Sequence, residues 1–464
     1  MSYTISKASL DRIQELVAQQ GDEELLASVK GLHPADIAEL LDNLETKESQ
    51  YIFERLEPEL AAEVILEVPE DRRDELLGNY TGKEIAQELI EHIDSDDAAD
   101  VISELPEEVR EEVLANIGDK EQRSEIAELL TYDEHTAGAL MAKELVKVHA
   151  DSSMLDCVRA LRQHAEHIDD VYAILVVDDH DRLVGSIQLK LLVTTSLRTP
   201  VKEVYDPDVI SVKAHEHVEE VSRLMEKYDL VMMPVTDERG RLLGRITVDD
   251  VLDAIREEET EDAQRMAGMG VLEYSYSNSS LWDMVKKRFG WLAVLFIGES
   301  FTATAMGYFE DQIAKAVVLA LFVPLIISSG GNTGSQASTL IIRALALGDI
   351  TLREWWRIFR RECSVGLILG VLLAAVGFIR VAVWSQFTDL YGPHWAQVAG
   401  VVALSLVGVV LWGNLIGSLF PLLLKRLGLD PATSSAPFVA TMVDVTGLLI
   451  YFSIATFFLR EILI

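Results

Sequence analysis

Cysteine is scarce: Cys157 and Cys363 are the two thiols in 464 residues. Two isolated thiols form neither a CxxC pair nor a zinc-type ligand spacing, so a disulfide framework, a zinc ribbon and a dithiol redox centre are excluded. A reducing cytosol suits the polar part of such a chain. Positive charge is scarce as well, with 40 Lys+Arg against 76 Asp+Glu and a net charge of −36. That balance has the wrong sign for a nucleic-acid backbone, and no nucleic-acid partner is expected. No basic n-region precedes an apolar h-region at the N-terminus, which predicts no cleaved signal peptide. No P-loop, nucleophile motif or metal-hydrolase signature occurs, so a non-enzymatic function is expected.

What is there falls into two parts with different solvents. The first 284 residues hold 27 Lys+Arg and 66 Asp+Glu, net −39, and the remainder hold 13 and 10, net +3. The second part contains five apolar segments, roughly 289–309, 315–342, 363–386, 396–422 and 434–459. Each is long enough to cross a hydrocarbon core about 30 Å thick. Lys286, Lys287 and Arg288 precede the first segment, Arg353, Arg357, Arg360 and Arg361 lie between the second and third, and Lys425 and Arg426 lie between the fourth and fifth. The intervening loops, Glu310 to Lys315 and Gln386 to His394, hold one Lys and no Arg. The excess of basic residues on one side predicts a multi-pass protein of the cell (inner) membrane, its acidic N-terminal mass cytoplasmic and its C-terminus outside.

Residues 1–136 read as short helices with weak echoes, Ala35–Leu41, Ala61–Leu66, Ile85–Ile90 and Ala98–Ile102, punctuated at Pro34, Pro58, Pro69 and Pro106. The pattern predicts an all-α superhelix whose carboxylates lie away from the apolar stripe. Asp96 and Asp100 stand at i, i+4, a spacing at which like charges disfavour a helix unless a cation bridges them. Residues 137–256 carry a duplication: Asp178, Arg182, Gly185 and Ile187 return as Asp237, Arg241, Gly244 and Ile246 at a constant offset of 59. Each copy, about 137–199 and 200–256, reads as strand, polar turn, strand and helix, an order that resembles a tandem cystathionine-β-synthase-type (CBS) pair. Such pairs often sense adenine nucleotides, which makes ATP there an expectation of the likeness. An acidic helix is expected over 249–270, running from the end of the CBS pair into a linker spanning 257–280, and residues 281–464 form the five-helix membrane part.

Asp444 is the polar group that the apolar segments explain least. It lies ten residues after Ser434, which at about 1.5 Å per residue puts it roughly 15 Å into the slab. A charge there costs at least ~2.5 kcal/mol and normally marks a functional path. Pro437, Thr441, Thr446 and Gly447 surround it in sequence. A proline frees a backbone carbonyl, and carbonyls, hydroxyls and carboxylates are ligands for hard cations. The run from Ser328 to Ser338, Ser-Ser-Gly-Gly-Asn-Thr-Gly-Ser-Gln-Ala-Ser, suits tight helix packing or a polar pore wall through Asn332 and Gln336. Arg380, near an outer end, can snorkel, and Glu299 is assigned a structural role.

The Gly-Gly-Asn-Thr-Gly-Ser-Gln run, the Asp-Pro-Ala…Pro-Phe-Val-Ala-Thr-Met-Val-Asp-Val-Thr-Gly run, the Glu-Glu-Thr-Glu-Asp linker and the order of the parts together resemble the MgtE family of magnesium channels. The resemblance implies a homodimer whose fifth helices line a pore at the two-fold axis, with Asp444 binding Mg²⁺ and Asn332, Pro437, Ala440 and Thr441 beside it. It implies cytosolic Mg²⁺ ligands at Glu63, Asp96, Asp100, Glu219, Asp229, Asp250, Asp253, Glu258, Glu261, Asp262 and Asp430. His217 and Ala436 depart from the pattern, where relatives carry an acidic ligand and an asparagine. Mg²⁺ is then both transported and regulatory. The alternative is a proton- or sodium-coupled divalent-cation carrier in which Asp444 titrates.

Overall fold

The computed structural model describes residues 6–164, 171–272, 276, 279–315, 317–388 and 391–458. Residues 389 and 390 of the expected outer loop therefore lie outside the described residues. The chain divides into two compact units, Met1–Glu257 and Glu258–Ile464.

The first unit opens with short helices from Lys7–Gln19 to Lys120–Leu129. Their prolines begin helices: Pro34 and Pro58 occupy the first turn, while Pro69 and Pro106 stand at the N-cap. At those positions the missing N–H has no partner to lose. Helices pack on the next but one, Pro34–Asp42 on Pro58–Glu67, Thr46–Phe53 on Glu70–Leu77, and Ser95–Glu104 on Lys120–Leu129. This buries one apolar stripe per helix in a common core that includes Leu40, Phe53, Ile65 and Ile102. The echo at 85–90 departs from a regular helix, because Ile85–Leu89 widens into a π turn and Ile90–His92 tightens into a 3-10 turn.

The duplication is realised strand for strand. β1 (Lys147–His149) pairs parallel with β2 (Ala173–Val177), which pairs antiparallel with β3 (Leu183–Gln188). β4 (Val212–Lys213), β5 (Met232–Thr236) and β6 (Leu242–Thr247) repeat that order. A register shift falls at Val176/Val177 in one sheet and at Val235/Thr236 in the other. In both turns one aspartate caps the backbone: Asp178 Oδ1 accepts from the amides of His180 and Arg182, and Asp237 Oδ1 from those of Arg239 and Arg241. Those amides hold both carboxyls below the usual range, Asp237 to about 2. The turn needs a left-handed residue, which is Asp181 (φ 56°) in one copy and Gly240 (φ 79°) in the other. The paired Gly185 and Gly244 permit close approach, since a Cβ would strike the Tyr205 ring or stand 2.6 Å from the Ala142 carbonyl oxygen.

The second unit holds five long apolar helices, long and apolar enough to cross a membrane: Leu281–Tyr308, Val317–Ala346, Leu352–Trp384, Trp395–Arg426 and Ala436–Phe458. The second of these breaks between Val317–Ala320 and Val323–Ala346, with Pro324 in the first turn of the longer piece. The fold is thus an N-terminal all-α domain, an α/β CBS pair and a five-helix α domain. The second and fourth helices meet backbone to backbone. A Cβ at Gly413 or Gly417 would be driven into the carbonyl oxygen of Gly330 or Gly334, the close approach that small residues allow in place of a hydrophobic drive. The expected acidic helix is a single helix, Val248–Met266, continuous with the last CBS helix.

Candidate metal centre

Two settings hold candidate carboxylates, one in each unit. In the first, the helix Ser95–Glu104 starts at Asp94 and carries Asp96 and Asp97 in its first turn. Its Ser95 donates through its amide and hydroxyl to the Glu144 carboxylate, at 3.2 and 2.8 Å, and accepts from the Lys143 amide at 2.9 Å. These bonds pin the helix to the strand-like segment entering the CBS pair. Asp96 is buried at 8% exposure, and ligand oxygens of Asp94, Asp96 and Glu144 lie within 4.8 Å of one another. Asp250, at the start of Val248–Met266, takes the Thr247 amide and hydroxyl at 3.2 and 2.6 Å.

These acids disturb one another. Burial, then Asp97, Asp250 and Asp94, pushes the Asp96 carboxyl well above the ordinary range. Burial and then Asp250 and Asp94 raise Asp97. Crowding by surrounding protein and then Asp97 raise Asp100 against the pull of Arg73, although its side chain still meets solvent at the rim. Burial also raises Asp250, opposed by its Thr247 bonds. The nearby cations are engaged, Arg73 with Glu104 at 2.8 Å, Arg245 with Asp94 at 3.5 Å and Lys143 with Glu128 at 2.9 Å. A dense set of carboxylate oxygens short of positive charge suits a hard divalent cation.

The structure therefore brings together Asp96, Asp100 and Asp250, and adds Asp94, Asp97 and Glu144, which sequence reasoning missed. Asp97 was within reach, in the same Asp-Asp run. Glu144 was not, because its bond to Ser95 spans 49 residues. The other expected ligands lie outside this group. Glu63 is exposed on Pro58–Glu67, and Asp253 is exposed and paired with Arg256 at 3.0 Å. Asp229 sits exposed in a left-handed cap after Val218–Tyr228, where Glu219 lies exposed in the first turn with its amide donating to His217 Nδ1. Glu258 and Asp262 are half-buried on Val248–Met266. Glu261 and Asp430 share one guanidinium, since Arg265 donates to them at 2.7 and 3.0 Å.

In the second unit Asp444 is half-buried on the fifth helix and has no hydrogen-bond or ion-pair partner among the described residues. Gly331 lies against it: a Cβ there would stand 3.4 Å from Asp444 Oδ1 and 3.4 Å from Ala440 Cβ. Thr441 faces Gly298 of the first helix, and Glu299 occupies the next position, exposed. The Ser328–Ser338 run divides between two faces. Gly330, Thr333, Gly334, Ala337 and Ser338 are buried in packing, while Ser328, Asn332 and Gln336 form an exposed polar row.

Two sequence expectations need correction. Pro437 lies in the first turn of Ala436–Phe458, where no intrahelical N–H is required, so it frees no carbonyl at depth. The neighbouring Ser434 carbonyl is in any case taken by Ser338 Oγ at 3.0 Å. Thr446 and Gly447 also turn away from the carboxylate. The Thr446 hydroxyl receives Trp412 Nε1 at 2.9 Å and donates to the Met442 carbonyl, and a Cβ at Gly447 would stand 2.9 Å from Val409.

The comparisons with known proteins align with these parts. A family model described as a divalent cation transporter matches residues 323–454, one for the MgtE intracellular N domain matches 32–135, and CBS domain models match 137–194 and 201–257. The chain is 41% identical to the magnesium transporter MgtE of Thermus thermophilus over 334 residues, 72% of each chain. The chain belongs to the MgtE family. The magnesium transporters MgtE of Enterococcus faecalis and Bacillus subtilis are 34% and 31% identical, each over 72% of this chain and 71% and 72% of their own. The cytosolic domain of the Mg²⁺ channel MgtE in complex with ATP is 32% identical, with a TM-score of 0.49 over 53% of this chain and 99% of that one. The MgtE family is one of transporters, and this member has its N domain, its CBS pair and its apolar helices.

Proposed function

We propose that this MgtE-family chain is a magnesium-selective ion channel that admits Mg²⁺ across the cytoplasmic membrane, acts as a homodimer and is closed by cytosolic Mg²⁺. The observation that carries the reading is Asp444, an intramembrane carboxylate without a protein partner among the described residues, set beside Gly331 and the exposed Asn332 row. An unpaired carboxylate at that depth belongs beside an aqueous path. In an isologous dimer two Asp444 side chains would meet one divalent ion. Mg²⁺ dehydrates reluctantly and keeps several waters, so the pair would hold a hydrated ion and not a dry one. Asn332, Ala440 and Thr441 belong to the wall of that path.

Closure follows from the acids of the first unit. Like charges about 4 Å apart repel by about 4 kcal/mol at an effective dielectric of 20, and bound Mg²⁺ reverses that sign at Asp96, Asp97, Asp100 and Asp250. Glu63, Glu219, Asp229, Asp253, Glu258, Glu261, Asp262 and Asp430 are the further ligands of this reading. One helix, Val248–Met266, carries both Asp250 and the Arg265 that pairs with Asp430 at the foot of the fifth helix. Metal binding at its start biases the pore end by differential affinity. The basic loops support cytoplasmic soluble domains and an external C-terminus. ATP at the CBS pair is part of the reading.

Recordings from excised patches test the proposal. Unitary Mg²⁺ currents that shut as bath Mg²⁺ rises on the cytosolic face, and vanish in an assembled Asp444→Ala dimer, are expected. Mg²⁺ uptake without unitary currents, driven by a proton or sodium gradient, would overturn it in favour of a carrier.

A further inference from the structure

The foot of the third apolar helix carries a stripe that the channel reading does not use. Arg353, in the 3-10 turn Leu352–Glu354, precedes Arg357, Arg360 and Arg361 of Trp355–Trp384. Their spacing of 4, 7 and 8 residues puts them on one helical face. All four are exposed. The acids nearby are used elsewhere. Glu354 caps the Thr351 amide and pairs with Arg357 at 3.1 Å, and Glu362 accepts from the buried Asn414 side chain at 2.8 Å. Arg353, Arg360 and Arg361 have no ion-pair partner among the described residues.

Beside the arginines, Trp355 and Trp356 are 54% and 53% exposed, their rings 5.4 Å apart, and Trp356 stacks on Phe359 at 5.2 Å. The stripe has a firm base, because Ile358 is buried with Ile341, Leu345 and Leu422 of the second and fourth helices. Exposed indoles at the end of a long apolar helix occupy the bilayer interface, and guanidinium groups there meet the phosphate layer. A phosphate accepts paired N–H donors from arginine, a geometry that an ammonium does not match.

We propose that this foot is a docking surface for anionic phospholipid: the arginines hold the headgroup phosphate, and Trp355 and Trp356 lie along the upper acyl chains. Three guanidinium groups without a protein counter-charge, set at headgroup level beside interfacial tryptophans, are complementary to an anionic lipid in both charge and depth. The proposal uses the membrane placement of the helices and is independent of conduction and gating.

The test is native mass spectrometry of the full-length protein, purified in detergent with equal phosphatidylglycerol and phosphatidylcholine, counting retained lipids. Wild type should retain phosphatidylglycerol preferentially, with about a fivefold contribution per arginine. Arg353→Gln/Arg357→Gln/Arg360→Gln/Arg361→Gln should bring the ratio to near parity, and Arg380→Gln should leave it unchanged. Losing four charges can disturb insertion, so Arg360→Gln/Arg361→Gln, which keeps two arginines for orientation, should lose part of the preference. Thiol labelling of Asp349→Cys in a cysteine-free background reports orientation separately. An undiminished preference in either correctly oriented glutamine variant overturns the proposal. So does displacement of the lipid by excess inorganic phosphate, which would mark a simple anion site.

Discussion

The two carboxylate settings differ in what keeps them under strain. Around Asp96, several acids of one unit crowd together with too few cations, so their cost comes from one another and from burial. Asp444 stands on an apolar helix among glycine, alanine and threonine, and its cost comes from its solvent. A crowd can be relieved by a bound divalent ion and can therefore sense one. A lone partner-free carboxylate binds the same ion weakly enough to release it. Under the proposed function, regulation belongs to the first setting and passage to the second.

The largest expected effect tests the frame that holds Asp444. Gly417→Val would drive a branched side chain into the Gly334 carbonyl, and overpacking that a backbone must absorb should cost more than about 3 kcal/mol. Loss of the assembled peak in size-exclusion chromatography is expected, while Gly290→Ala, where nothing lies within 4 Å, should assemble normally. Asp444→Ala should come next, abolishing Mg²⁺ uptake in a reconstituted flux assay with assembly intact. Wild-type flux in that variant would erase the contrast between the two settings.

Asp96→Asn/Asp97→Asn/Asp250→Asn sharpens the other side. The folded-state pKa values of these acids lie above the unfolded ones, so the folded unit binds protons that the unfolded chain releases. Its stability therefore falls as pH rises from the ordinary carboxylate range near 4 toward about 7, where Glu104 also titrates. Without divalent ions, the thermal midpoint of the soluble unit in the full-length protein should rise as pH drops from neutrality. Mg²⁺ should flatten that slope. The triple variant should gain about 1–3 kcal/mol without metal and lose the Mg²⁺ increment. A variant that Mg²⁺ still stabilises like wild type would show that the crowd is not the sensor.

Glu258→Gln/Glu261→Gln/Asp262→Asn should raise the cytosolic Mg²⁺ needed for closure without altering open-pore current. Equal closing concentrations would remove the linker helix from the mechanism. The smallest effect comes from the duplicated turn. Asp181→Gly should stabilise and Gly240→Ala destabilise the CBS pair by about 1 kcal/mol each, because both positions are left-handed. Equal thermal midpoints would mean the turn relaxes.

The duplication was legible because its signals are local: a capping aspartate, a glycine and a strand pair recur at a fixed offset. The five apolar spans were legible for the same reason, since length and hydropathy are properties of a window. At the site, Asp444 could be singled out because an acid in an apolar run needs no partner to be conspicuous. Glu144 and Arg265 could not, since their importance lies in bonds to Ser95 and Asp430, far away in the chain.

The sequence by itself determined the division into acidic and apolar parts, the repeat, the spans and the presence of Asp444 at membrane depth. Only the tertiary structure decided which acids share a neighbourhood and which face of the Ser328–Ser338 run packs. It also decided that Thr446 serves Trp412 and not a cation. The reason is physical. Periodicity and hydropathy act between residues a few positions apart, whereas desolvation, charge crowding and glycine-to-glycine contact depend on groups that meet only when the chain is folded.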